Sequence, residues 1–229
     1  MTPSFRLQQT PPPIRSYVLR EGRFTKSQRA AFRDYWQVYG VDVSHPPRDV
    51  QTLFAKPQPL VLDIGFGNGE ALAHLACDHP QLNFLGVEVY RPGVGALLQK
   101  IAARQLENVR VIHRDAVDVL REQIAPSSLA TVLIWFPDPW PKRRHHKRRL
   151  LQPQFVQLVA EKLQTGGELS LATDWAPYAE HIKAVLDACE VFEKTSNSTL
   201  IGKRPSTKFE RRGRRLGHRV FAQVYRKLR

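Results

Sequence analysis

Sulfur and long apolar stretches are what this chain of 229 residues has least of. It holds one methionine and two cysteines, Cys77 and Cys189. Two cysteines supply neither a disulfide framework nor a cysteine-based metal site, and they fit a reducing, cytoplasmic setting. No apolar run approaches the roughly 20 residues of a membrane span. Residues 1–14 are polar and proline-rich, which predicts disorder and excludes a secretory signal there. The histidines at 113, 145, 146, 181 and 218 match no common ligand spacing, so no metal is expected. No Ser/His/Asp or Cys/His nucleophile pattern is legible. Membrane, metal and covalent-hydrolase classes are thereby set aside.

Acid is the scarcer charge, with 21 Asp and Glu against 35 Lys and Arg, a net of +14. The excess sits in three blocks. Residues 1–34 carry seven bases and two acids, 142–149 six bases and no acid, and 203–229 eleven bases and one acid. The rest of the chain is net −7. A mildly acidic body with strongly basic pieces points to a polyanion bound by defined surfaces. Solubilising charge usually mixes signs, and these blocks nearly exclude acids. None has the clean apolar face that a membrane-surface helix needs.

With 42% hydrophobic residues the chain can bury a large core. Thr25 to Gln28 resembles a capping box that opens an aromatic-rich helix through Phe32 to Tyr39. Residues 44–59 read as a proline-rich connector. Short apolar runs then recur at 60–66, 83–90, 109–115, 129–136 and 167–174, with helical patterns between them, for example 94–106 and 155–163. Strands alternating with helices predict an α/β fold, a mainly parallel sheet with helices on both faces. The division expected is an N-terminal basic extension with a helix, 1–58, and an α/β domain, 59–229, that includes the basic C-terminal segment. Past about residue 200 the chain reads as loop and strand, with 218–227 a candidate edge strand.

Gly65, Gly67 and Gly69 follow the first strand and open a helix, where glycine permits a tight turn and close approach to a ligand. A dinucleotide fingerprint needs glycine at 70, and Glu70 stands there. S-adenosylmethionine has no phosphate, only a ribose, an adenine and a sulfonium cation. Glu88, at the second strand's end, suits ribose hydroxyls. Asp115, at the third, suits the adenine amino group or caps the next helix. Asp63 lies near the sulfonium side. Three strand-end acids favour a cationic nucleoside.

The most specific stretch runs from Phe136 to Arg149: Asp138 between prolines, Trp140 as a stacking plane, then an unbroken basic run. A flat base fits that set, with stacking for its face, a carboxylate for its edge and cations for its backbone. Guanine N1–H and N2–H₂ are adjacent donors that one carboxylate can accept, so Asp138 opposite guanine is chemically sensible, with Asp174 a second acceptor.

These segments, LDIGFGNGE (62–70), FPDPWPKRRHHKRRL (136–150), ATDWAPYAEHI (172–182) and RPSTKFERRGRRLGHRV (204–220), resemble the bacterial tRNA (guanine-N7-)-methyltransferase family, TrmB, over nearly the whole chain. The resemblance implies a class I S-adenosylmethionine-dependent methyltransferase (Rossmann-like) fold. It also implies methylation of the variable-loop guanine, guanine 46, of tRNA. It assigns Asp63, Glu88, Asp115 and Asp138 to the cofactor, with Asp138 also catalytic. Lys142, Asp174, Thr207, Lys208, Phe209 and Glu210 become substrate-binding, and Arg144, His145, His146, Lys147, Arg148 and Arg149 RNA-contacting. Asp63 departs from the glutamate usual there, and Asn68 from an apolar or small residue. A catalytically silent RNA-binding module, an NAD-linked enzyme and a DNA base methyltransferase are the competing readings. A monomer and a homodimer are equally compatible with the sequence.

Overall fold

The computed structural model describes residues 14–18, 22–43 and 49–229, except for the side chains of 208 and 209. The disorder expected of 1–14 falls almost wholly outside the described residues, as does part of the proline-rich connector.

Helix α1 (Lys26–Tyr39) opens on the expected box: Gln28 N–H donates to Thr25 Oγ1 at 3.2 Å, and Thr25 N–H to Gln28 Oε1 at 3.0 Å. The repeat that follows is β1 (Leu60–Ile64), α2 (Glu70–Asp78), β2 (Asn83–Val87), α3 (Arg91–Ala103), β3 (Val109–Ile112), α4 (Ala116–Glu122), β4 (Leu129–Trp135), α5 (Pro153–Lys162), β5 (Leu163–Thr173) and α6 (Ala176–Asp187). The chain closes with β6 (Phe192–Thr195), α7 (Lys208–Arg215) and β7 (Phe221–Lys227).

The strands form one sheet in the order β3-β2-β1-β4-β5-β7-β6. Its first five members run parallel, and β7 is antiparallel to both neighbours. Every residue of β1, β2 and β4 is buried, which is why these strands read as continuous apolar runs rather than alternating ones. Alternate residues still serve opposite faces. Leu60, Leu62 and Ile64 pack with α4, α5 and α6, while Val61 packs with α1, α2 and α3. Order reverses between β1 and β4, so a crevice opens at the carboxyl ends of the strands.

Two expectations are corrected. The 218–227 segment is no edge strand: β7 is inserted between β5 and β6, and the edge is β6, whose sequence FEKT buries only Phe192. The tail also holds α7, read from the sequence as loop. Buried Glu168 on β5 accepts from Thr199 N–H at 2.9 Å, Thr199 Oγ1 at 2.7 Å and Ser198 Oγ, which ties the segment after β6 to the sheet and aims it at the crevice. At the opposite edge Val41 N–H donates to Val111 O at 2.8 Å, covering β3. Among the described residues no helix is long and apolar enough to cross a membrane.

Candidate active site

The turn after β1 holds three left-handed glycines, with φ of 74° at Gly65, 62° at Gly67 and 69° at Gly69. A Cβ on Gly69 would stand 2.6 Å from Leu97, so this glycine serves helix packing, whereas one on Gly65 would meet open space. Gly67 N–H donates to Glu88 Oε2 at 2.9 Å, and Val89 and Tyr90 N–H donate to Glu88 Oε1 at 2.7 and 2.9 Å. A carboxylate offers about four acceptor positions. Three are taken by the backbone, so Glu88 has room for one ribose hydroxyl rather than the pair its position suggested.

A cavity of ≈ 530 Å³ lies over these groups, lined among others by Gly65, Gly67, Glu88, Asp115, Phe136 and Asp138. Ser16, Tyr17 and Val18 close one side of it. Asp63 is buried beside it, in a smaller void of ≈ 30 Å³ shared with Thr207. Burial, and then the charge of Glu88, push Asp63 up to about 8. Burial also raises Glu88 despite its three N–H bonds, and the charge of Asp138 adds to that. Crowded carboxylates that raise one another suit a cation. An anion would meet Glu70 in the first turn of α2, where a pyrophosphate would otherwise bind. Among the described residues no cluster of His, Cys, Asp and Glu is grouped to hold a metal ion.

Asp115 caps α4 through Val117 N–H at 2.8 Å and also lines the cavity. Arg15 reaches it at 2.6 Å and Asp118 at 2.9 Å.

The loop after β4 is strained on either side of Asp138, with φ of 56° at Phe136 and 45° at Trp140. Trp140 is not an open platform. Its Nε1–H donates to Ser16 O at 2.9 Å, and the Arg148 guanidinium lies 4.4 Å from its ring centroid. In the basic run, a 3₁₀ turn at Arg143–Arg148, Lys142, Arg143, Arg144 and Lys147 are exposed. His145, His146 and Arg148 are half-buried, and Arg149 is turned inward.

Asp174 follows β5 and faces α7: His218 Nδ1 lies 3.3 Å from its Oδ2, and a Cβ on Gly213 would stand 2.9 Å from the same oxygen. Thr207 caps α7 by accepting from Glu210 N–H at 3.1 Å, and Lys208 and Phe209 form its first turn. Glu210 is buried between Arg204 and Arg214, each at 2.6 Å. The structure therefore gathers Gly65, Gly67, Glu88, Asp115 and Asp138 at one cavity, with Asp63 and Thr207 at the smaller void adjoining it. It sets Lys142, Arg144 and Lys147 on the surface and directs Gly69, Arg149 and Glu210 to neighbouring protein. Arg15 and Arg204 escaped the sequence reading, since two arginines in basic blocks carry no local signal.

A family model described as "Putative methyltransferase" matches residues 57–223. The tRNA (guanine-N(7)-)-methyltransferase of Alkalilimnicola ehrlichii is 52% identical over 220 residues, 94% of this chain and 93% of its own. That of Nitrosococcus oceani is 50% identical, over 92% of this chain and 89% of its own. The chain belongs to the tRNA (guanine-N(7)-)-methyltransferase family. In solved structures the fold matches 16S rRNA methyltransferase KamB at a TM-score of 0.59 and 15% identity, over 82% of this chain and 96% of that one. An rRNA methylase from Streptococcus thermophilus matches at 0.52 and 15%, over 75% and 88%. The protein is thus a class I methyltransferase, and its cofactor is S-adenosylmethionine. The carboxylate-walled cavity fits that group: Glu88 would take a ribose hydroxyl, Asp115 the adenine side, and Asp63 with Asp138 the cationic end.

Proposed function

We propose that this enzyme methylates N7 of guanine 46, in the variable loop of tRNA, in the cytoplasm. The observation that carries the reading is Asp138, held on a strained loop between the acidic cavity and the exposed bases Lys142, Arg144 and Lys147. Those bases, with Arg211, Arg212, Arg214 and Arg215 of α7, give a cationic rim for a phosphate backbone. S-adenosylmethionine supplies, when bound, a methyl group on a sulfonium centre.

Guanine N7 carries an in-plane lone pair in the neutral base, so no proton has to leave before attack. The chain's work is alignment and electrostatics. Asp138 accepts from the N1–H/N2–H₂ edge, which turns the opposite, N7 edge into the cavity. The same carboxylate steadies the positive charge that grows on the ring, and Asp174 assists from the end of β5. Phe136 and Leu150 line the cavity with apolar surface and limit water.

A tRNA with 7-deazaguanine at position 46 keeps every donor on the gripped edge and replaces N7 by C–H. It should bind with near-normal affinity and accept no methyl group in a labelled-cofactor assay. Methyl transfer to that base would assign the reaction to another atom.

A further inference from the structure

Arg148 and Arg149 are neighbours of identical chemistry that do opposite things. Arg148 lies over the outer face of Trp140 and donates from Nε to Arg15 O at 3.2 Å. Arg149 is 4% exposed. Its Nε–H donates to the carbonyl of Pro139 at 3.0 Å, and its guanidinium carbon lies 5.0 Å from the centroid of the Tyr178 ring. A terminal nitrogen donates to His146 Nε2 at 3.1 Å. Tyr178 is itself fully buried, and its hydroxyl accepts from Leu151 N–H at 3.3 Å. A guanidinium is costly to bury, and one buried under a loop ties that loop down.

From this we infer that Arg149 is a positioning residue for Asp138 and takes no part in the RNA contact that its place in the basic run suggests. The inference rests on the reading that Asp138 acts at the transfer site. Pro139 directly follows Asp138, and the segment they share is bounded by the left-handed residues Phe136 and Trp140. Such backbone persists where the surroundings over-determine it. Trp140 and Arg148 hold the loop from outside. Arg149, propped on Tyr178, holds the Pro139 carbonyl from inside and so fixes the carboxylate of Asp138 toward the cavity. A lysine reaches one acceptor as a point charge. It cannot both donate along the plane of the fork and lie flat on the ring.

The test compares Arg149→Lys, Arg149→Met, Lys147→Ala and Asp138→Asn in the full-length enzyme. Thermal melting, tRNA affinity against salt, and single-turnover methyl transfer at saturating tRNA and cofactor are measured for each. Arg149→Lys should keep the wild-type tRNA affinity and salt slope while its single-turnover rate falls at least tenfold, and Arg149→Met should fall further. Lys147→Ala should instead flatten the slope by about 0.7–0.9, the signature of one lost phosphate contact. A slope flattened in the Arg149 variants, or a wild-type rate in Arg149→Lys, overturns the assignment. Should both Arg149 variants fail to fold, Tyr178→Leu decides. It removes the ring on which the guanidinium lies and should slow transfer severalfold at an unchanged slope, and an unchanged rate overturns the bracing. A wild-type rate in Asp138→Asn would remove Asp138 itself from the transfer site. A collapsed rate there beside an intact Arg149→Lys would defeat the bracing alone.

Discussion

Glu210→Gln separates two roles for a residue that family resemblance assigns to the substrate. In the structure its carboxylate is 3% exposed, ion-paired with Arg204 at Oε2 and hydrogen-bonded by Arg214 at Oε1. Arg214 is 68% exposed, so that pair contributes about 0–1 kcal/mol. Arg204 is 14% exposed, with its guanidinium carbon 5.6 Å from the Trp135 ring centroid and 5.4 Å from that of Phe136. Removing one partner of such a pair strands the other charge against apolar surface, at a cost of roughly 3–5 kcal/mol. Glutamine keeps the shape and one acceptor, which places this variant near the low end, about 3 kcal/mol. The Thr207 cap is untouched. The loss therefore falls on the docking of α7 rather than on its formation, and appears as local opening. About 3 kcal/mol is roughly a 150-fold change in the opening equilibrium. Amide hydrogen exchange followed by mass spectrometry should show peptides spanning 206–218 exchanging faster by that order, while peptides over 129–135 keep their protection. Rapid loss of tRNA affinity with unchanged protection across 206–218 would refute the anchoring role and return Glu210 to the substrate.

Two further outcomes follow from the acidic cavity. Glu88→Ala should weaken S-adenosylhomocysteine binding in calorimetry by about 10- to 150-fold, one charge-assisted bond of roughly 1.5–3 kcal/mol, and leave tRNA affinity unchanged; an unaltered dissociation constant would take Glu88 out of the site. Asp63, pushed up from 3.8 to about 8, holds its proton in the folded state while the unfolded chain has released it. Its stabilising contribution is full below about pH 4 and lost as pH rises through 8, at up to ~1.4 kcal/mol per unit. Urea titrations at pH 5 and pH 8.5 should thus show a loss in the wild type that is largely absent in Asp63→Asn, and parallel losses in the two proteins would contradict a protonated Asp63.

What the sequence determined by itself was whatever depends on short stretches of chain. Strands buried on both faces must be continuous apolar runs, so β1 to β5 were legible with the helices between them. Thr25 and Gln28 cap α1 through contacts three residues apart. Gly65 and Gly67 have to turn where they do, and Glu88, Asp115, Asp138 and Asp174 stand at strand ends, where a parallel sheet gathers side chains at one edge. The family was readable from motifs for the same reason.

Only the tertiary structure decided what depends on what lies opposite. β6 has one buried residue and no apolar run, and it exists because β7 offers it a free edge. The helix KFERRGRR shows no apolar stripe in sequence, and it is docked instead through the Arg204–Glu210 ion pair and the close approach of Gly213 to Asp174. Trp140 reads as an open plane until Arg148 and the Ser16 carbonyl are seen upon it. Within the run from Arg143 to Arg149 every base has the same local character. Which one faces solvent and which is buried under the loop after β4 goes with the Tyr178 ring, 29 positions further along the chain from Arg149 and brought there by the packing of α6 on the sheet.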